Sequence, residues 1–176
     1  GGALSKSDRA DYTEWVKRYD TLDENARARI RKKIAKLERQ PLISVLMPTY
    51  NTSPRWLQEA IDSVRGQLYE NWELCIADDA STDPATRDVL EKAGAEDDRI
   101  KVVFRQENGH ISAASNSALA LCRGEWVALM DHDDLLSEHA LFCVAEVITT
   151  RSEARLIYSD EDKINEDGLR FDPYFK

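Results

Sequence analysis

The stretch Leu129-Met130-Asp131-His132-Asp133-Asp134-Leu135 decides the fold. It ends an apolar run that begins at Trp126 and breaks, with no turn signal, into three carboxylates within four residues. Such a run reads as a buried strand delivering acids to its own carboxyl end, the place where open α/β sheets bind ligands. Close carboxylates repel one another unless a cation or several donors sit among them. Oxygen-only ligands suit Mg2+ or Mn2+. At i and i+2, Asp131 and Asp133 point the same way in an extended segment. The competing reading is an acidic loop that caps the next helix through Asp134 or Ser137. His132 reads as a spacer between two acids, because a His–Asp phosphohydrolase centre needs more histidines than His110 and His139 supply.

Working outward from that stretch, apolar runs and helical stripes alternate. Strands are expected at Ile43–Met47, Trp72–Ala77, Ile100–Phe104, Glu125–Met130 and Leu156–Tyr158. Helices are expected from Pro54 to about Gln67, from Pro84 with Ser81 or Asp83 as cap, over Ile111–Cys122, and over Ser137–Thr150. The third of these is rich in small residues and suited to close packing on a sheet. Lys163–Asn165 and Leu169–Phe171 flank Glu166-Asp167-Gly168, a hairpin signal. This alternation with short loops implies a mostly parallel sheet flanked by helices.

Residues before Pro41 differ in character. Asp11–Tyr19 reads as a short aromatic-bearing helix, and Thr21-Leu22-Asp23-Glu24 as a capping box with Thr21 as N-cap. The next helix sets Ala26, Ile30, Ile34 and Leu37 against a dense face of Arg27, Arg29, Arg31, Lys32, Lys33, Lys36 and Arg39. A solvated face is the plain reading, and peripheral attachment to anionic lipid the sharper one. Two domains follow: a helical extension at 1–40 and an α/β part at 41–176.

The 176 residues carry 42% hydrophobic and 32% charged side chains and a net charge of −9, the profile of a globular domain. That charge excludes a nucleic-acid partner, and no basic stripe is interleaved with aromatics. No apolar run approaches the length of a spanning helix. Gly1-Gly2 reads as a cloning scar. Cys75, Cys122 and Cys143 sit in apolar patterns without C-x-x-C spacing and read as buried thiols of a reducing cytoplasm. The expected location is cytoplasmic, at the inner face of the membrane if the basic helix attaches there.

Functional-looking groups end three strands: Thr49-Tyr50-Asn51, Asp78-Asp79 and Asp131–Asp134. Parallel strands gather such ends along one rim. G-x-G-x-x-G and P-loop patterns are both missing, so phosphate charge falls to a metal rather than a glycine cradle. Asp78-Asp79-Ala80-Ser81 is either a helix cap or a carboxylate for an imide or ribose donor. Tyr50 is either core or a stacking face for a base.

Ile43-Ser44-Val45-Leu46-Met47-Pro48-Thr49-Tyr50-Asn51, Ala77-Asp78-Asp79-Ala80-Ser81, Asn108-Gly109 with Asn116, and Gly124 to Asp134 together resemble the family 2 glycosyltransferases in order and spacing. Tyr158-Ser159-Asp160-Glu161-Asp162-Lys163, with the helical preface, is similar to the branch that builds bacterial surface polysaccharides, O-antigen and rhamnan types included. The resemblance implies a GT-A fold, Rossmann-like in its donor half, with the acceptor half cut short. It implies inverting, metal-dependent transfer of a hexosyl or deoxyhexosyl group from a nucleotide-sugar to a saccharide or lipid-linked saccharide hydroxyl. In that pattern Pro48 and Tyr50 line the base pocket, Asp79 contacts the base, Asp131 lies near ribose and metal, and Asp133 or Asp134 is the main metal ligand, with Mn2+ or Mg2+ as cofactor. Asp79 suits the imide edge shared by UDP and dTDP. The general base is expected beyond Lys176, while Asp160, Glu161 and Asp162 structure a turn. This piece is therefore expected to bind donor without turnover, and to dimerise through the face an acceptor half would cover. The alternatives are a non-catalytic nucleotide-sugar module of a larger synthase and a nucleotidyltransferase. The latter's Gly-rich basic loop is missing after the first strand.

Overall fold

The computed structural model describes residues 6–176. Contacts group the chain into two compact units, one of residues 30–152 and one of residues 1–29 with 153–176. That is a different division from the one at residue 40, which follows the start of the strand–helix alternation.

The larger unit is a four-stranded parallel sheet in the order β3-β2-β1-β4. Its strands are β1 (Ile43–Thr49), β2 (Trp72–Asp78), β3 (Ile100–Phe104) and β4 (Trp126–Leu129). Residues of β1 and β2 are buried throughout, as expected of central strands covered on both faces. Three crossover helices connect the strands: α3 (Pro54–Arg65), α4 (Pro84–Glu96) and α5 (His110–Leu119). A further helix, α6 (Ala140–Thr150), follows β4 and buries Leu141, Phe142, Ala145 and Ile148. On α3, Leu57, Ala60, Ile61 and Val64 are buried, whereas Trp56 is 47% exposed. The small residues of α5 serve as expected, with Ala114 and Ala118 packing on Leu46 of β1 and Ala77 of β2. Asp83, rather than Ser81, caps α4 by accepting from the Ala85 N–H at 2.9 Å.

Sheet register explains how the site is delivered. Leu46 pairs with Leu129, and Pro48 with Ala77. Aligned partners in a parallel ladder share a face, so Leu46, Pro48, Ala77 and Leu129 all belong to the α5 side. Two residues further on, Tyr50, Asp79 and Asp131 continue that face at the carboxyl rim.

In the smaller unit, α1 (Lys6–Tyr19) packs on the hairpin β5 (Glu161–Ile164) and β6 (Arg170–Tyr174). The hairpin is antiparallel, as its turn signal predicts. Tyr12 donates to Asp162 at 2.6 Å, and Arg170 donates to Asp162 and to Asp20, each at 2.6 Å. Burial and the Asp162 bond together push the Tyr12 phenol up to about 12. Helix α2 (Glu24–Ile34) runs through the boundary between units.

Several local expectations are corrected. Asp23, not Thr21, caps α2: its carboxylate accepts from the Ala26 N–H at 2.6 Å. Thr21 instead turns back and donates to the Val16 carbonyl, finishing α1. No strand forms at Leu156–Tyr158, where Leu156 is 81% exposed. Three residues that pair with no other strand cannot offset their ordering cost. Cys75 is buried, but Cys143 is exposed on α6, so its apolar surroundings in sequence do not bury it.

Candidate functional site

The rim is built by loops that leave three neighbouring strands. After β1, Asn51 takes a left-handed backbone, φ 49°, and after β2 Ala80 does the same, φ 63°. The two loops lock together. The Asn51 N–H donates to Ser81 Oγ at 2.8 Å, and Asn51 Oδ1 accepts from the Thr82 N–H at 2.8 Å. Ser81 is held in turn by Asp78, whose carboxylate accepts its hydroxyl at 2.5 Å and its N–H at 3.1 Å. Asp78 thus acts within the loop. Thr49 and Thr52 share a 2.8 Å hydroxyl contact beneath it.

Asp79 faces the other way and is buried, 2% exposed. Its N–H donates to the Thr49 carbonyl at 2.9 Å, extending the β1–β2 ladder to the base of Tyr50. Its Oδ1 accepts from Arg105 Nε at 2.7 Å and from the Gly109 N–H at 3.0 Å, and its Oδ2 accepts from the same N–H at 3.1 Å. A carboxylate oxygen accepts two bonds comfortably, so Oδ2 keeps acceptor capacity. Arg105 is fixed by α5, donating to Ser117 Oγ at 2.7 Å and to the Ala113 carbonyl at 3.3 Å. Gly109 is required here, because a Cβ would meet Arg105 Nη2 at 2.6 Å and the Ala113 Cβ at 2.7 Å. The sequence reading missed Arg105. The signal was present, in a cation one residue beyond the third strand, on the rim that carries the acids.

At the end of β4 the chain turns, with the Asp134 N–H donating to the Asp131 carbonyl at 3.2 Å. Asp131, Asp133 and Asp134 are exposed. Among the described residues, no group of three or more His, Cys, Asp or Glu side chains is placed to hold a metal ion. The three acids therefore do not assemble into the cluster their spacing suggested. What the turn presents is the carboxylates of Asp131 and Asp133, hard oxygen donors that fit Mg2+ or Mn2+ only if a ligand supplies further oxygens. His132 is tied to β1 by Nδ1, 3.2 Å from the Pro48 carbonyl. Tyr50 is 45% exposed and so is not core.

The structure thus brings Pro48, Asp79 and the acidic turn to one edge through bonds at Thr49 and Pro48, with Tyr50 between them in sequence and exposed. The family model for glycosyl transferase family 2 matches residues 44–163. The chain belongs to that family. An O-antigen biosynthesis protein, RfbC of Myxococcus xanthus, is 36% identical over 167 residues, 95% of this chain and 13% of that protein. An uncharacterized protein of Sinorhizobium fredii, y4gI, is 53% identical over 148 residues, 84% of this chain and 16% of its own length. The chain of this family 2 member therefore spans less than a fifth of either relative. Among solved structures, S. aureus TarS 1-349 in complex with UDP-GlcNAc superposes with a TM-score of 0.58 at 25% identity, covering 69% of this chain and 40% of that one. The fold is GT-A, as the resemblance implied.

Asp160, Glu161 and Asp162 lie in the smaller unit. Asp162 is taken by Tyr12 and Arg170, Asp160 accepts from the Lys176 N–H at 3.0 Å, and Glu161 pairs with Lys176 Nζ at 2.7 Å.

Proposed function

We propose that the rim is the donor site of a metal-dependent, inverting glycosyltransferase of polysaccharide biosynthesis, and that this chain binds a nucleotide-sugar without transferring it. The observation that carries the reading is Asp79: a buried carboxylate, aimed by Arg105 and the Gly109 N–H, with one oxygen still able to accept. An imide N–H of uracil or thymine is a matching donor, whereas the cytosine edge at that position is an acceptor. UDP- or dTDP-linked sugars follow, and the UDP-GlcNAc complex of TarS supports the uridine choice. The exposed Tyr50 gives the base a face to stack on, and Pro48 underlies it.

Asp133 and Asp131 would hold Mn2+ or Mg2+, whose chemistry there is to neutralise the diphosphate as it leaves. The protein groups bind the base, orient the diphosphate and leave the anomeric carbon facing outward for a single displacement through an oxocarbenium-like state. The acceptor, a saccharide or lipid-linked saccharide hydroxyl, needs a base that this reading places outside residues 1–176.

Calorimetry with UDP, dTDP, GDP and ADP, each with and without Mn2+, tests the site. UDP or dTDP is expected to bind tightest, and more tightly with Mn2+ than without. Asp79→Asn should erase preference for the imide bases, and Asp133→Ala should erase the Mn2+ dependence. Equal binding of all four nucleotides, or indifference to Mn2+, would refute the assignment. Glycosyl transfer by this chain alone would refute the donor-only part.

A location at the cytoplasmic membrane face fits α2 and the turn that follows it, where Arg29, Arg31, Lys32 and Lys36 are exposed, while Arg27, Lys33 and Arg39 pair with Glu24, Glu146 and Glu125. Salt-sensitive co-sedimentation with phosphatidylglycerol vesicles is the expected result, and none at low salt rejects that location.

A further inference from the structure

The β1–β4 ladder stops one rung early, and a side chain takes the missing place. In a parallel ladder, bonds to one strand recur every second residue. The Met130 N–H donates to the Leu46 carbonyl at 3.1 Å. Continued by two residues on each strand, the next rung would run from the backbone N–H of residue 132 to the carbonyl of Pro48. That backbone bond does not form, because the chain leaves the sheet at Asp131. Instead the His132 imidazole reaches the same carbonyl, with Nδ1 at 3.2 Å. A carbonyl oxygen only accepts, so Nδ1 carries the proton. Pro48 completes the exchange from its own side: it has no N–H to lose where its partner strand ends.

The far end of the segment is anchored separately. The Leu136 N–H donates to Ser63 Oγ at 3.2 Å, and Gln67 Nε2 donates to the Ser137 carbonyl at 2.7 Å. Between Met130 and Leu136, His132 is bonded to the strand that carries Tyr50, and its neighbours on either side are the exposed acids Asp131 and Asp133.

We propose that His132 is a positioning residue: its Nδ1–H replaces the lost ladder bond and fixes the acidic turn against the end of β1, so that Asp131 and Asp133 are presented in one arrangement. The role in binding rests on the donor-site reading, while the clamp itself does not. Any residue at 132 can separate two acids, but only one with a donor at the Nδ1 position can close this rung. Asparagine has such a donor, an amide N–H at nearly the same distance from the backbone, and alanine has none.

Two measurements on the whole chain, as wild type, His132→Ala and His132→Asn, decide the matter. The first is hydrogen exchange of peptides covering 129–136 without ligand. Alanine is expected to speed exchange across 130–134 by about tenfold, the worth of one hydrogen bond, and asparagine to restore most of the protection. Unchanged exchange in the alanine variant, or no recovery with asparagine, overturns the clamp. The second is UDP titration with and without Mn2+. Alanine should weaken the Mn2+-dependent binding by about tenfold and asparagine recover it, with the Mn2+-independent component unmoved. Faster exchange with unaltered Mn2+-dependent affinity overturns the positioning role and leaves a purely structural bond. A wild type that binds no nucleotide overturns the donor reading and the positioning role together, and exchange still decides the clamp.

Discussion

Glu73 is a carboxylate held at the opposite end of the sheet from the rim, 4% exposed, by four donors: Ser44 Oγ at 2.6 Å, the Arg123 N–H at 2.5 Å, the Gly124 N–H at 3.2 Å and Lys101 Nζ. Burial opposes its ionisation, but the bonds from Lys101, Ser44 and Arg123 outweigh that and lower it from 4.5 to about 2. A folded-state value below the unfolded one means the ionised form stabilises the fold. That contribution is complete above pH 4.5 and is lost as the pH falls from there toward about 2. Its size is on the order of 3 kcal/mol. Urea unfolding between pH 7 and 2.5 should show the decline, and Glu73→Gln should flatten it while costing about 3 kcal/mol at pH 7 by stranding Lys101. A variant with the wild-type pH slope would assign the decline elsewhere. A glycine works at the same node, since a Cβ at Gly124 would meet the Leu42 carbonyl at 2.5 Å and Ser44 Oγ at 2.7 Å. At the rim, Gly109→Ala tests the aim of Asp79. The added methyl must displace Arg105 or α5, so UDP affinity should fall about tenfold with a stability loss of about 1–2 kcal/mol. Stability loss alone, with affinity kept, would show that Asp79 needs no Arg105.

The element that most departs from the sequence pattern is β4. It lies at the sheet's edge, paired only to β1 among the described residues. Val127 and Leu129 share its α5-side face, 38% and 80% exposed. Helix α5 packs against β1, β2 and β3, which leaves that face of β4 uncovered. An open edge with bare apolar side chains favours self-association. Light scattering should therefore show concentration-dependent dimers that Leu129→Lys abolishes, and a wild type monomeric at high concentration would end that expectation. The uncovered face could not be read in advance, because Trp126-Val127-Ala128-Leu129-Met130 is as apolar as the buried β1. Apolar runs disclose strands, not how many faces neighbours cover. The same limit applies at Leu156–Tyr158, where an apolar run forms no strand. Strand ends, by contrast, were legible: β3 falls on the expected Ile100–Phe104, and Tyr50, Asp79 and Asp131 each follow shortly after the end of a strand. Spacing disclosed Asp79 and the acidic turn because alternation fixes which face a residue continues. It could not disclose Arg105 or the bond from His132, because both depend on contacts across 26 and 84 residues.

At the scale of the molecule, each compact unit has interactions of its own. In residues 30–152 the core is the doubly covered sheet, with Trp72, Tyr69, Met47 and Leu141 among its fully buried side chains. In residues 1–29 with 153–176, much of the cohesion is one polar node, Tyr12, Asp20 and Asp162 around Arg170. Breaking a buried or half-buried pair leaves its partner charge stranded, and here removal of Arg170 strands two carboxylates at once. The segment between the units' ordered elements, 151–160, has no helix or strand and offers Arg151 and Arg155 to trypsin. Arg170→Met should therefore speed cleavage at Arg155 several-fold while leaving the main thermal transition within about 4 °C of wild type, because the sheet's packing is untouched. A shorter chain of residues 24–152, which keeps α2 whole, should melt in one transition at nearly the same temperature. If Arg170→Met instead lowered the main transition by 10 °C or more, or if 24–152 failed to fold, the two units would be one cooperative body and the division by contact would carry no thermodynamic meaning.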